Sequence, residues 1–328
     1  MTAPGPHDRR CQWQAVRSPT VTTSTPPPPA PGWTATGLRW QDGRPVLTAR
    51  SGGREHARAV ASGTRVGWLM GGPRRCTGVR TSSGHHPCPF TAVVEAAGKA
   101  VQCQSCQDAD PGLALARDQI LDNGRTYRLY LAWFGPGVVK VGITAEQRGT
   151  TRLLEQAALG WTFVGRGPLP GVRRAELTVA QAGLARERLT TRTKSACWWE
   201  VPDAATRRRE LAELRTSVLR LLAGHAIELL TDEPLADHVE LFGLAAGAPP
   251  LYLEVTALDH GATLTGTLRP PIGRHLFLDT GPQDPPLLLD TRLLTGWTLA
   301  PAGPTSCTGL ATGVRRRPED KGAQESLF

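Results

Sequence analysis

Cys76, Cys88, Cys103 and Cys106 crowd into one short segment of a chain whose other cysteines are scattered. The last two form a CxxC knuckle in VQCQSCQD, and the first two sit beside turn residues in RRCTG and HHPCPF. A two-residue spacer lets one tight turn present two thiolates to the same ion, and tetrahedral zinc takes four soft or borderline ligands. The segment therefore reads as a structural zinc site of zinc-ribbon type. His85 or His86 is a substitute for Cys88 as ligand, and a redox CxxC is the competing chemistry. Cys11, Cys197 and Cys307 stand apart as bystanders. A second set of reactive types follows, because Tyr130, Lys140, Arg152 and Glu176 fall on successive elements of one unit running from Tyr127 to Glu176. Each alone has an ordinary explanation: a strand tyrosine, an edge lysine, a surface ion pair. Their order is what points to chemistry.

The elements that must position these four can be read from hydrophobic period. TYRLYLAWF alternates, with Tyr130, Ala132 and Phe134 on one face and Leu129, Leu131 and Trp133 on the other. Gly135-Pro136-Gly137 turns it into VVKVGIT, where Lys140 and Gly142 share a face and Gly142 permits close approach. TTRLLEQAAL has helical spacing behind an N-cap at Thr150 or Thr151, and WTFVGRG is the third strand. VRRAELTVAQAGLARERL then reads as an amphipathic helix with Leu177, Ala180, Leu184 and Leu189 near one side. A further helix is expected from Pro202 to Ala223, capped by Asp203, with Leu211, Leu214, Val218 and Leu221 as its stripe.

The flanks have a different texture. Residues 1–32, rich in Pro, Thr and Ser, read as a disordered leader. Residues 33–110 form a β-rich segment that opens with a hairpin at Asp42-Gly43 and ends in the cysteines. A connector over 111–126 holds one short helix ending at Asn123-Gly124. Residues 127–227 form the central domain. Period two returns over 228–310 in LYLEVTAL, ATLTGTLR, GRHLFLDT, PPLLLDT and GWTLAP, which predicts a second, C-terminal β domain. Residues 311–328 read as a charged, disordered tail. The fold class is α+β.

The central unit resembles the GIY-YIG nuclease superfamily. Arg128-Leu129-Tyr130 stands at the first motif, Lys140-Val141-Gly142 at the second in the manner of a KIG variant, then Arg152, then Glu176 on a helix. The order of two strands, helix, strand and helix is similar to that family's compact core. From Trp33 to Pro301 the chain looks like a bacterial family that joins a four-cysteine segment to such a core. The resemblance implies a small three-stranded sheet with helices. It also implies Glu176 as sole carboxylate ligand of a catalytic Mg2+ or Mn2+, Arg152 on the scissile phosphate, Tyr130 orienting or deprotonating the attacking water, and Lys140 holding a phosphate or lowering the pKa of Tyr130. Arg148 competes with Arg152 for the family arginine, and with Arg173 and Arg174 it is expected on the nucleic-acid-binding face.

Composition agrees with that direction. The formal charge of +9 over 328 residues favours polyanionic partners, nucleic acid first and DNA ahead of RNA. Seven cysteines do not make a secreted disulfide framework, no run reaches the ~18 apolar residues of a membrane helix, and the first residues lack a signal peptide's apolar stretch. A cytoplasmic protein with reduced thiols is the expectation. Three functions follow: a metal-dependent endonuclease, a zinc-containing nucleic-acid-binding protein without catalysis, and a protein–protein adaptor.

Overall fold

Asp42 and Gly43 both take positive φ (49° and 73°) and fold β1 (Trp33–Gln41) onto β2 (Arg44–Ser51). Two positive-φ residues give the turn the twist that antiparallel neighbours need. The computed structural model describes residues 32–318 apart from 52, 82, 83, 121, 304 and 305. Residues 1–31 of the expected leader and 319–328 of the expected tail lie outside that range.

β3 (Arg54–Ala59) and β4 (Arg65–Gly71) follow. The cysteine segment then contributes only β5 (Val79–Thr81), β6 (Gly84–His86) and α1 (Gln104–Asp108). The connector helix α2 (Pro111–Ala116) is capped by Asp110, which accepts from the N–H groups of Gly112 and Leu113. It stops well short of the expected Asn123-Gly124, because Asp118 takes a φ of 60°.

In the central unit, β7 (Thr126–Gly135) and β8 (Val138–Ala145) are joined through Pro136-Gly137. α3 (Thr151–Glu155), β9 (Gly160–Pro168) and α4 (Leu169–Gln181) come next. α5 (Thr191–Ala196) and α6 (Ala204–Leu221) complete its helices. β7 lies between β8 and β9, and the two-residue strands β10 (Glu228–Leu229) and β11 (Ala236–Asp237) extend β9, so the expected three strands become five. Both faces of β7 are buried in the alternation read from sequence: Leu129, Leu131 and Trp133 enter the main core, and Tyr130, Ala132 and Phe134 a second cluster. α6 begins at Asp203, whose side chain accepts from Thr206 N–H at 2.9 Å, and buries Leu211 and Val218, while Leu221 ends up 37% exposed.

The expected stripe of α4 is wrong by about a third of a turn. Its buried residues are Leu169, Val172, Ala175 and Val179, and Leu177 is 47% exposed. The helix packs on all three main strands of the smaller sheet, and its buried stripe carries Ala175 where a leucine would stand the helix off. Helix also ends before Leu184, since Gly183 takes a φ of 74°.

The C-terminal part supplies β12 (Leu251–Leu268), β13 (His275–Asp279), β14 (Leu287–Asp290), α7 (Thr291–Leu294), β15 (Thr298–Pro301) and β16 (Thr308–Arg316). These strands do not form a domain of their own. They join β1–β4 in one nine-stranded sheet, ordered β13-β14-β12-β4-β15-β1-β2-β3 with β16 on β12. The physical reason lies at its centre. β1 and β4 leave free edges toward each other, and β15 fills that gap, pairing Trp33 with Leu299 on one side and Gly71 with Thr298 on the other. Ala35, Met70, Val255, Leu264 and Trp297 then share one buried cluster.

The expected disordered tail is corrected in the same way. β16 runs antiparallel to β12 from Thr308 to Arg316. Arg315 reaches Glu254 at 3.3 Å, and Arg317 reaches Glu200 at 3.0 Å. The sheet ladder satisfies the backbone and the carboxylates take the charge, so the basic run is ordered.

Candidate metal centre and cationic cluster

The cysteine cage is built by turns rather than by long elements. Cys76 follows β4, Cys88 follows β6, Cys103 caps α1, and Cys106 lies within α1. Their four sulfurs all lie within 4.8 Å of one another. Cys88 and Cys103 Sγ are 3.8 Å apart, which is about the edge of a tetrahedron with ~2.3 Å metal–sulfur bonds. The Gly78 and Cys103 N–H groups donate to Cys76 Sγ at 3.4 and 3.2 Å, a second shell that orients the sulfur. Gly78 itself has a φ of 78° and packs against the backbone of Pro87 and Cys88, where no side chain fits.

Burial opposes ionisation of Cys88, but the N–H groups of Ala92 and Phe90 and the neighbouring thiols outweigh it and bring its pKa to about 7. Burial and the other sulfurs push Cys106 upward, and burial raises Cys76. Four thiols this close can shed their protons together only around a cation. Neither histidine substitutes for a cysteine. His85 bridges Arg50 and the Thr77 carbonyl, and His86 meets Thr81. The donor set fits a metal ion such as zinc.

The second site forms where β7, β8, α3 and α5 meet. Tyr130, 1% exposed, pairs with Gly142 across β7–β8, and its hydroxyl accepts a 2.7 Å hydrogen bond from Gln156 Nε2. Lys140 Nζ sits 5.8 Å from the Tyr130 ring centroid and donates to the carbonyls of Val141 and Glu187 at 2.8 and 2.5 Å. A Cβ on Gly142 would overlap the Tyr130 hydroxyl and come within 2.9 Å of Lys140 Nζ. Gly142→Ala is therefore expected to lose about 1–3 kcal/mol by overpacking, because the buried ring cannot swing away. An unchanged urea midpoint would show that the ring yields.

Glu176 lies half-buried on α4 in the fields of Lys140, Glu187 and Arg173. Burial raises its pKa, Glu187 adds to the rise, and Lys140 and Arg173 oppose it. Arg152 is half-buried on α3 and in the field of two cations that the sequence reading missed, Lys194 and Arg274. Lys194, on α5, places Nζ 4.1 Å from the Phe134 ring centroid and donates to the Gln156 carbonyl at 3.3 Å. Gln156 and Lys194 thus link Tyr130, Lys140 and Arg152, and Glu176 connects to them through Lys140.

The other arginines go elsewhere. Arg148 pairs with Glu155 at 2.5 Å, so of the two candidates Arg152 is the one that faces the cluster. Arg173 pairs with Asp118 and donates to the Leu115 carbonyl at 2.8 Å, which ties the connector to α4. Arg174 is exposed on the same helix.

No helix among the described residues is long and apolar enough to cross a membrane. No curated protein and no solved structure matches the chain. A family described as "Protein of unknown function (DUF2797)" matches residues 95–299, more than half of the chain. That span holds Cys103 and Cys106, the whole cationic cluster, and β12 to β14 of the large sheet with the start of β15. The chain belongs to the DUF2797 family.

Proposed function

We propose that this chain is a GIY-YIG-like nucleic-acid phosphodiesterase, with the cationic cluster receiving a backbone phosphate. The observation that carries the reading is the central place of Lys140, which lies beside the Tyr130 ring and in the fields of both Glu176 and Lys194, with Arg152 acting on Lys194 in turn.

The Glu176 carboxylate, half-buried with Glu187 as an acidic neighbour, would suit an ion that keeps water and phosphate as its other ligands. A bound Mg2+ or Mn2+ would supply Lewis-acid neutralisation of charge on the phosphate. Arg152 presents a planar guanidinium to two phosphate oxygens. Lys140 adds a point charge beside them. Because the Tyr130 hydroxyl accepts from Gln156, its own proton is directed away, toward a water or a phosphate oxygen. The cysteine cage is read as a structural Zn2+ site, since protein thiolates fill all four positions and leave none open for chemistry. Placement in the cytoplasm, where such thiolates stay reduced, follows from the same reading, and DNA is favoured over RNA as substrate.

The burial of Tyr130 favours a second reading, nucleic-acid binding without cleavage, because a tyrosine 1% exposed must wait for a local opening to meet bulk water. Cleavage assays separate the two. With Mg2+ or Mn2+ at low salt, the protein is expected to cut single- or double-stranded DNA, and Glu176→Gln to lower the rate by about 10²–10³ while retaining binding. Wild type and Glu176→Gln equally inert on DNA and RNA would end the phosphodiesterase reading.

A further inference from the structure

Three cations act on Lys194. Lys140 approaches from β8, Arg152 from α3, and Arg274 from the link between β12 and β13. The Phe134 ring on β7 closes the remaining side. Among the described residues no carboxylate acts on the Lys194 amine, and the acceptor it meets is the Gln156 carbonyl.

Arg274 is also under-neutralised. Its Nε lies 3.5 Å from Asp290, but Asp290 is already held by Arg292, at 2.7 Å through Nη2, and faces His275 as well. That Nε makes no hydrogen bond among the described residues, although it is buried. Arg274 Nη2 instead donates to Thr191 Oγ1 at 3.2 Å, on the first residue of α5. The side chain therefore reaches from the large sheet to the helix that carries Lys194.

We propose that Lys194 and Arg274 form the anchoring half of the phosphate site, gripping a phosphate oxyanion of nucleic acid where α5 meets the large sheet. This rests on the phosphate-binding part of the function proposed above and goes beyond it in residues and in behaviour. Burial first, and then Lys140, Arg274 and Arg152, depress the Lys194 amine to about 7. An arriving oxyanion reverses the like-charge crowding and draws a proton onto the amine. Binding is then proton-linked. The ammonium form that grips phosphate is present below that value and is lost as pH rises through it, so affinity falls with rising pH. A guanidinium would show no such dependence, since it stays charged throughout.

The test uses full-length protein carrying Glu176→Gln, so that cleavage cannot erode the signal, and short labelled single-stranded DNA at fixed salt. From about pH 6 to about pH 8.5, affinity is expected to fall about tenfold with Lys194 present. Lys194→Arg should bind tightly with a flat profile, and Lys194→Met weakly with a flat profile. Parallel arms with and without a 5′-phosphate distinguish a terminal from an internal phosphate. Lys194→Met with unchanged affinity and slope, or Lys194→Arg with the slope retained, overturns the proposal.

A second readout needs no nucleic acid. An amine-reactive reagent near neutral pH should label Lys194 faster than exposed Lys99, and inorganic phosphate should protect it. Equal labelling without protection also overturns the proposal. The outcomes remain distinguishable: a protein that never cleaves but shows the Lys194 slope loses only the phosphodiesterase reading. One that cleaves through Glu176 but ignores Lys194→Met loses only this inference.

Discussion

Cys106→Ala is expected to strip the chain of its bound metal, from about one zinc per protein to none by elemental analysis, and to open residues 72–110 to proteolysis. The segment has little else to hold it. Its regular structure before α1 amounts to two three-residue strands, and its buried cluster consists of the cysteines with Val79, Ala92 and Val94. Phe90 and Val93 remain 69% and 64% exposed, so apolar burial cannot close the loops. In isolated zinc modules the metal supplies about 10–16 kcal/mol of apparent binding free energy, which is then folding free energy. The remaining thiols would be left at a site shaped for a cation. Protein purified without chelator that contains no zinc, or a variant with wild-type metal content and protease resistance, would refute the cage.

Arg74→Met should be the most damaging single substitution outside the cage. Arg74 is 1% exposed and stands beside Arg75 and Cys76, at the entrance to the cysteine segment. Its guanidinium donates to backbone carbonyls from two separate parts of the chain. Thr295 accepts at 2.8 Å and Arg292 at 2.6 Å from the α7 corner, and Glu95 at 2.7 Å, Ala96 at 3.4 Å and Gly98 from the cysteine segment. Methionine fills much of the space but leaves these acceptors unpaired. A loss of about 3–5 kcal/mol is expected from breaking such a buried charged network. Lysine should rescue little, because three donors on a point charge cannot reproduce the planar fork. Urea unfolding reads both variants, and a midpoint close to wild type for Arg74→Met would contradict the account.

What the sequence disclosed was local. The Asp42-Gly43 hairpin, the two faces of β7 and the Asp203 cap depend on neighbours a few residues away, and all appear as expected. The cysteines were legible because ligand type and spacing carry the chemistry. The union of the two β segments was hidden, because period two gives a strand but not its partner. The α4 stripe was misread because leucine counts more than alanine in any hydrophobic pattern, while close packing on the sheet favours alanine. Lys194 and Arg274 escaped because their meaning lies in what faces them. One signal was available: the chain has four lysines among its 38 basic residues, so Lys140 and Lys194 stand out in a chain that otherwise uses arginine.

The placement of β15 between β1 and β4 also governs when the large sheet can exist during synthesis. β1 to β4 leave the ribosome early, yet the strand that joins β1 to β4 is made more than two hundred residues after β4 ends, and β12 nearly as late. At cellular translation speeds the delay is on the order of tens of seconds. During that interval the hairpins carry open edges and Trp68 and Met70 have no sheet to cover them. The four cysteines of the cage are all made by residue 106, long before β15. The four ligands are thus available to a metal ion well before the last strands emerge to join β1 to β4.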